Sequence, residues 1–336
     1  MRVVISGNPV DGSAGVALGL LLRAGWRLPG ARMLSSLAPV VLLYHGVPRA
    51  PGGGIAAEAF ERHVAFLAEN FELVSVPDLG RARRRAERIR VLLTFDDGFR
   101  NSAEVVSPIL RSHGVGAVFF VSSRHATPGR YLWFSYLQAL LRSYPDGSIV
   151  FRGERMDMSP GARAETVDRL RGALVRLTPY PAAMYRAIEE ELPPLDEFVS
   201  SDEIADRYAG MTKEQVGELA ADRLFTVGTH AADHPFLTRC DAAEAARQID
   251  ENRRWIEDAT GQRCSTIAYP HGDYDGRILA HCRDAGFEHG FAVDPRVRSD
   301  ARLERPRIGV YSTSTDALGF KVQWGNLMRF LRIPVG

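Results

Sequence analysis

Through most of this chain, short apolar runs alternate with longer stretches whose apolar residues recur every three or four positions. The runs are VVLLY (40–44), FELVSV (71–76), RVLLTF (90–95), GAVFFVS (116–122), RLFTVGT (223–229), STIAYP (265–270), HGFAV (289–293) and RIGVY (307–311). Such runs, bounded by polar or turn-forming residues, predict buried strands. Between them lie amphipathic segments such as EAFERHVAFLAENF (58–71) and AAEAARQIDENRRWIEDATG (242–261), the second ending on Gly261 as a helix-terminating residue. Strand and helix in alternation predict an α/β fold with parallel strands. The pattern suits a distorted (β/α) TIM-like barrel of about seven strands, enlarged by a helical insertion.

That insertion is the one abnormally long connection. From 123 to 222 no strand pattern stands out, only helical ones: LWFSYLQALLRS, RAETVDRLRGALVRL, YRAIEEELP and TKEQVGELAADR, punctuated by Pro160-Gly161, Pro179, Pro181 and Pro193-Pro194. The organisation expected is therefore an N-terminal helical segment over 1–39, a barrel over 40–311 that carries the insertion, and a C-terminal amphipathic helix or tail over 312–336. The tail sequence GFKVQWGNLMRFLR (319–332), with Trp324 and flanking basic residues, fits either packing on the barrel or peripheral contact with a membrane surface. The arginine-rich run RARRRAERIR (81–90) reads as a solvated helix face, with an anionic lipid or phosphate contact as the alternative.

Composition removes some functions. The 336 residues carry 42 basic and 41 acidic side chains, a formal charge of +1, which argues against a general nucleic-acid binder. Nearly all the basic residues are Arg, with Lys only at 213 and 321. Three cysteines, Cys240, Cys264 and Cys282, are odd in number and lack C-x-x-C spacing, which suits a reducing compartment. The apolar run Val16–Leu22 is too short to span a bilayer and lacks a basic stretch before it. The expected location is cytoplasmic, with peripheral membrane contact as an extension of it.

Candidate chemistry sits at the C-terminal ends of predicted strands, the face on which barrel active sites assemble. In TFDDG (94–98) two carboxylates adjoin, a costly arrangement that a bound cation relieves. The plain alternative is a helix N-cap made by Asp96 or Asp97. In GTHAADHP (228–235), His230 and His234 supply two imidazoles on a loop or single turn, and with one carboxylate they make a sound first-row metal set. A lone His pair would otherwise be surface polarity. AYPHGDYD (268–275) forms a tight turn at Pro270 and Gly272 whose backbone N–H groups suit an oxyanion, unless it is a simple loop exit. In LLYHGV (42–47), His45 ends the first predicted strand, a position from which it can donate a proton near neutral pH. Trp133 and Phe134 are either sugar-stacking rings or helix core.

TFDDG, H-x-x-x-H-P and the Y-P-x-G turn, in that order, resemble the polysaccharide deacetylases of carbohydrate esterase family four, the NodB-homology type, over roughly residues 40 to 311 apart from the insertion. The resemblance implies a distorted barrel and a divalent metal, usually zinc, on Asp97, His230 and His234, with Asp96 as catalytic base. The family's third motif commonly reads R-P-P-Y, its Arg tethering the base. Here Ala268 stands at the Arg position and His271 at that of the Tyr, whose backbone N–H is the part that matters. Arg307 in PRIGV is the candidate replacement tether. Ala231 stands where Ser or Thr usually follows the first His, and no C-terminal Leu-His motif follows residue 300. The Y-H at 44–45 instead resembles the permuted branch that includes poly-N-acetylglucosamine deacetylases, in which His45 takes the acid role.

The function expected is metal-dependent removal of an N-acetyl group from an amino sugar of a polysaccharide, oligosaccharide or lipid-linked glycan. Two rivals stand beside it: a deformylase or other C–N amide hydrolase on the same scaffold, and a non-catalytic sugar-binding relative. Oligomeric state is not legible in the sequence.

Overall fold

The computed structural model describes residues 38–330 apart from Gly53 and 81–87, with side chains described to residue 325. Ten strands are present: β1 Val40–Tyr44, β2 Glu72–Leu73, β3 Arg90–Phe95, β4 Ala117–Val121, β5 Ser148–Phe151, β6 Glu154–Asp157, β7 Phe225–Thr229, β8 Thr266–Ala268, β9 His289–Ala292 and β10 Arg305–Gly309. Seven of them close a barrel in the order β1-β3-β4-β7-β8-β9-β10 and back to β1, every pairing parallel. The two-residue β2 pairs with the start of β3. Barrel closure depends on β1, which pairs with β3 on one side and β10 on the other.

Most barrel-strand residues are apolar because both faces are covered. Alternate residues divide between two layers. Val41, Leu92, Val118, Phe120, Ala268 and Phe291 pack together, one strand after another, as the barrel interior. Their neighbours Leu42, Leu93, Phe119, Val227, Ile267 and Ile308 join the larger cluster under the helices. Helix α1, Ala57–Asn70, contributes Phe60, Val64 and Leu67 to that layer, at the spacing of one helix face. The long helix Ala242–Thr260 opens where Asp241 accepts the Glu244 N–H at 2.8 Å and closes on left-handed Gly261 (φ +66°). The C-terminal helix, Thr315–Phe330, buries Leu318, Val322 and Gln323 against the barrel. No described helix is long and apolar enough to cross a membrane.

The insertion departs from the helical expectation. It contains helices Trp133–Ser143, Arg163–Leu177, Pro181–Glu191 and Lys213–Ala221, but also the antiparallel hairpin β5–β6. Its two-residue turn, Arg152-Gly153, has positive φ at both positions (+53° and +75°), the geometry such hairpins require. Ile149, Phe151 and Met156 are buried while Val150, Arg155 and Asp157 are exposed, so a period of two was present in GSIVFRGERMDM. Its helix at 181 begins four residues before the YRAIEEELP pattern, because Pro181 serves as the first helical residue instead of a break. The insertion has a core of its own, built on Trp133, Leu140, Phe151, Met158, Leu170, Leu174, Met184 and neighbours.

The expected helical segment at 1–39 lies outside the described residues but for 38 and 39, which are not helical. The arginine-rich run is likewise outside them through residue 87; Arg90 at its end is buried and donates to the Asp78 carbonyl.

Candidate active site at the barrel mouth

Strand parity decides which side chains reach the centre of the barrel. Leu92, Thr94 and Asp96 alternate inward along β3, and β10 turns Arg307 inward in the same way, since Ile308 belongs to the outer layer. A guanidinium inside a barrel needs a partner. Arg307, 1% exposed, donates from Nη1 to Asp96 Oδ1 at 2.6 Å and from Nη2 to Oδ2 at 2.8 Å, with its flat face 5.5 Å above the Phe120 ring. This two-pronged pair fixes the plane of the carboxylate. Neither Asp96 oxygen is left to cap the following helix. Burial alone would raise the Asp96 pKa and is the largest influence. The charges of Arg307 and His230 together outweigh it, so the carboxyl stays below its ordinary value and ionised.

Asp97 points the other way because its backbone is left-handed (φ +75°), and Gly98 follows at φ +78°. A Cβ on Gly98 would lie 2.9 Å from a Val121 side-chain carbon and 3.2 Å from its Cα, so only glycine lets the chain turn here. Asp97 Oδ1 lies 3.5 Å from His230 Nε2 and 3.3 Å from His234 Nε2. The three side chains are buried, with one potential ligand atom from each within 4.8 Å of the others. His230 donates from Nδ1 to the Ala268 carbonyl at 2.8 Å, which leaves Nε2 as its free base. Asp97 Oδ2 and His234 Nδ1 are buried with no hydrogen-bond partner. A buried carboxylate with one oxygen beside two imidazoles and the other without a donor suits a cation, and the N₂O set suits zinc. The residues therefore fit a divalent ion. His230 and His234 hold the Asp97 carboxyl well below its usual range, against the opposing and largest effect of burial.

The other expected residues converge on the same mouth. His45 follows Tyr44, whose carbonyl accepts the Asp96 N–H at 3.0 Å, so the two loops leave the barrel side by side. His45 therefore leaves β1 beside Asp96 at the mouth. His271 adopts φ +57° in the short Pro270–Gly272 turn, and its ring lies flat on Phe236, centroids 4.0 Å apart. That ring is 4.4 Å from His234; burial first, then the neighbouring imidazoles, hold its pKa well below the usual value. Of the six non-glycine residues with positive φ among the described residues, four belong to this site: Asp97, Ala231, His234 and His271. Such backbone strain collects at functional centres. Trp133 is 3% exposed within the insertion core, whereas half-buried Phe134 faces His234 at 4.9 Å.

Several residues around the site carried no sequence signal. Buried His125 places Nδ1 3.1 Å from the Asp97 carbonyl and Nε2 2.8 Å from that of Tyr208, tying the left-handed aspartate to the insertion. Asn101 accepts the Val47 N–H at 2.9 Å and donates to the Asp206 carbonyl at 2.8 Å. Asp206 itself accepts from the Arg49 and Ala50 N–H groups, and Arg207 donates to the Ala50, Pro51 and Gly52 carbonyls. Both Asn101 and Asp206 adjoin or lie in π-helical turns, Ser102–Val106 and Ile204–Tyr208, a local form often found at functional sites. Tyr185 accepts the Trp133 N–H and donates to the Asp233 carbonyl at 3.0 Å, one residue before His234. The one available hint was position, since His125 follows a barrel strand at its C-terminal end.

A buried, arginine-clamped carboxylate beside an Asp-His-His cluster, at the C-terminal mouth of a parallel barrel, defines the protein first as a hydrolase-type (β/α) barrel with a metal-competent centre. The sequence then places it within a family. The polysaccharide deacetylase family model matches residues 83–146 and 178–290, more than half of the chain, and the chain belongs to that family of hydrolases acting on N-acetyl amide bonds. The unmatched stretch between the two segments holds the β5–β6 hairpin and the helix Arg163–Leu177. Asp96, Asp97, His230, His234 and His271 fall inside the match, whereas His45 and Arg307 fall outside it. Among solved structures, IcaB from Ammonifex degensii is similar, with a TM-score of 0.55 at 18% identity over 86% of this chain and 98% of that one. The Streptococcus pyogenes deacetylase PplD, solved with acetate, is similar with a TM-score of 0.50 at 16% identity over 82% of this chain and 93% of that one. At such identities these likenesses speak to the fold alone. No curated protein matches the chain.

Proposed function

We propose that this protein is a metal-dependent N-deacetylase acting on an N-acetylated amino sugar of a polysaccharide, oligosaccharide or lipid-linked glycan. The observation that carries the reading is the Arg307–Asp96 pair, which keeps an ionised, oriented base beside the Asp97, His230 and His234 cluster. A divalent ion held by those three, zinc by the chemistry of the donors, would supply Lewis-acid polarisation of the acetamide carbonyl. Asp96 takes the proton from the attacking water, and Arg307 keeps that carboxylate facing the mouth. The His271 backbone N–H donates to the oxyanion as the carbonyl carbon becomes tetrahedral. His45 gives a proton to the departing amine, completing the cleavage to acetate and a free amino sugar. Its place on the first strand supports assignment to the permuted branch.

Three buried, free cysteines favour a reducing, cytoplasmic setting, and the C-terminal helix would be the point of any peripheral membrane contact. The decisive assay pairs metal analysis of the purified protein with acetate and formate release from N-acetylated and N-formylated amino sugars. About one zinc per chain with acetate release is the expected result. Formate release in preference to acetate would move the activity to deformylation, and no metal with no hydrolysis would leave a sugar-binding protein.

A further inference from the structure

Val150, Tyr180, Val297 and Tyr311 are the exposed large apolar side chains among the described residues. Tyr311 is the one that stands beside the candidate catalytic residues. It follows β10 by two residues, and at that level β10 lies against β1, with Leu43 opposite Gly309 and the Val310 N–H donating to the Leu43 carbonyl at 2.9 Å. The ring is 64% exposed. Its plane lies within 23° of the His45 imidazole, centroids 6.3 Å apart.

The ring is also held in place. A Cβ on Gly309 would sit 2.5 Å from Tyr311 Cε2 and 2.7 Å from its hydroxyl, so the missing side chain is what lets the tyrosine lie over the strand. Lys321 approaches the ring at 5.7 Å from its centroid while its Nζ donates to the Gly309 carbonyl at 2.8 Å, fixing the end of β10 beneath it. A single exposed aromatic ring is ordinary on a protein surface. This one is singled out by being fixed at the barrel mouth, with one face open and its plane nearly aligned with the His45 imidazole.

We propose that Tyr311 is a substrate platform: a pyranose ring of the acetamido sugar stacks on its open face, which brings the amide nitrogen to His45. The inference rests on the N-deacetylase reading above. Pyranoses present axial C–H groups as an apolar face, and tyrosine offers flat contact area with little rotamer entropy to lose. A ring contact of this kind is worth roughly 3- to 10-fold in affinity, or about 0.6–1.4 kcal/mol.

The probe is fully N-acetylated chitotriose. For Tyr311→Ala the expected result is a KM raised roughly 3- to 10-fold with kcat within about twofold. Tyr311→Phe, which keeps the ring and loses the hydroxyl, should restore KM. Ligand-observed NMR in an Asp96→Asn background should show the same loss of binding on adding Tyr311→Ala. An unchanged KM and Kd in Tyr311→Ala, with wild-type protein active, overturns the platform alone. Loss of affinity in Tyr311→Phe equal to that in Tyr311→Ala overturns the ring-stacking role in favour of the hydroxyl. Wild-type protein that neither binds nor hydrolyses the trisaccharide overturns the deacetylase reading and the platform with it.

Discussion

In the barrel, strands β3, β7 and β10 deliver the reacting side chains to the mouth, some by strand parity and some by left-handed backbone just past the strand end; in the insertion, the polar side chains near the site bind its backbone instead. The barrel contributes Asp96, Asp97, His230, His234 and Arg307 from three strands, β3, β7 and β10, that are far apart in sequence. The insertion contributes carbonyls, one carboxylate, a phenol and guanidinium groups that grip the loops carrying those residues. Each part has its own apolar core. The difference separates chemistry from geometry, in that one region holds the reacting groups and the other holds the loops on which they sit.

Substitutions test that division. The largest effect belongs to the barrel: Asp96→Asn should lower kcat by about 10²- to 10⁴-fold while metal content, read by elemental analysis, stays near wild type. A mutant with near-normal turnover would remove Asp96 as base. Next is the insertion core. Leu174→Ala, at a fully buried position, should cost about 2–5 kcal/mol. If the insertion is part of the barrel's cooperative unit, denaturant unfolding will show a single transition with a lowered midpoint. Two separated transitions would instead make it an autonomous domain.

The smaller effects fall where the two regions meet. Asp206→Ala frees the Arg49 and Ala50 N–H groups and loosens the loop after His45, with an expected cost near 1 kcal/mol and a fall in kcat of about fivefold. KM should move little, and Asp206→Asn, which still accepts hydrogen bonds, should recover most of the loss. An effect confined to thermal stability would make this contact structural only. Smallest is Tyr185→Phe, which leaves the Asp233 carbonyl without its phenol donor. Zinc affinity, measured by competition with a chromophoric chelator, should weaken by a few fold, on the order of 1 kcal/mol or less. Unchanged affinity would show that the His234 turn holds its strained φ without help from the insertion.

The seven barrel strands were legible because parallel strands covered on both sides read as mostly apolar runs, bounded within a few residues of their true ends, whereas the run at 71–76 yielded only the two-residue β2. Asp97, His230 and His234 were legible because metal-competent side chains at strand ends are an unusual composition. The hairpin at 148–157 went unread because its alternation spans two strands of four residues, too short to stand out among helical segments. His125, Asn101, Asp206 and Tyr185 went unread for another reason: each acts through a hydrogen bond to a backbone group more than 25 residues away. Side-chain identity alone carries no trace of such a partner.

By itself the sequence determined the order of elements, the metal-competent triad and the adjoining carboxylate, since these depend on local pattern and residue chemistry. Tertiary structure alone decided that β1 and β10 meet, which brings His45 and Arg307, from opposite ends of the barrel segment, to the mouth where Arg307 clamps Asp96. It also decided that Tyr311 lies open beside them. Barrel closure is a long-range event, fixed by how the inner and outer layers of every strand pack at once, and no window of the chain contains it.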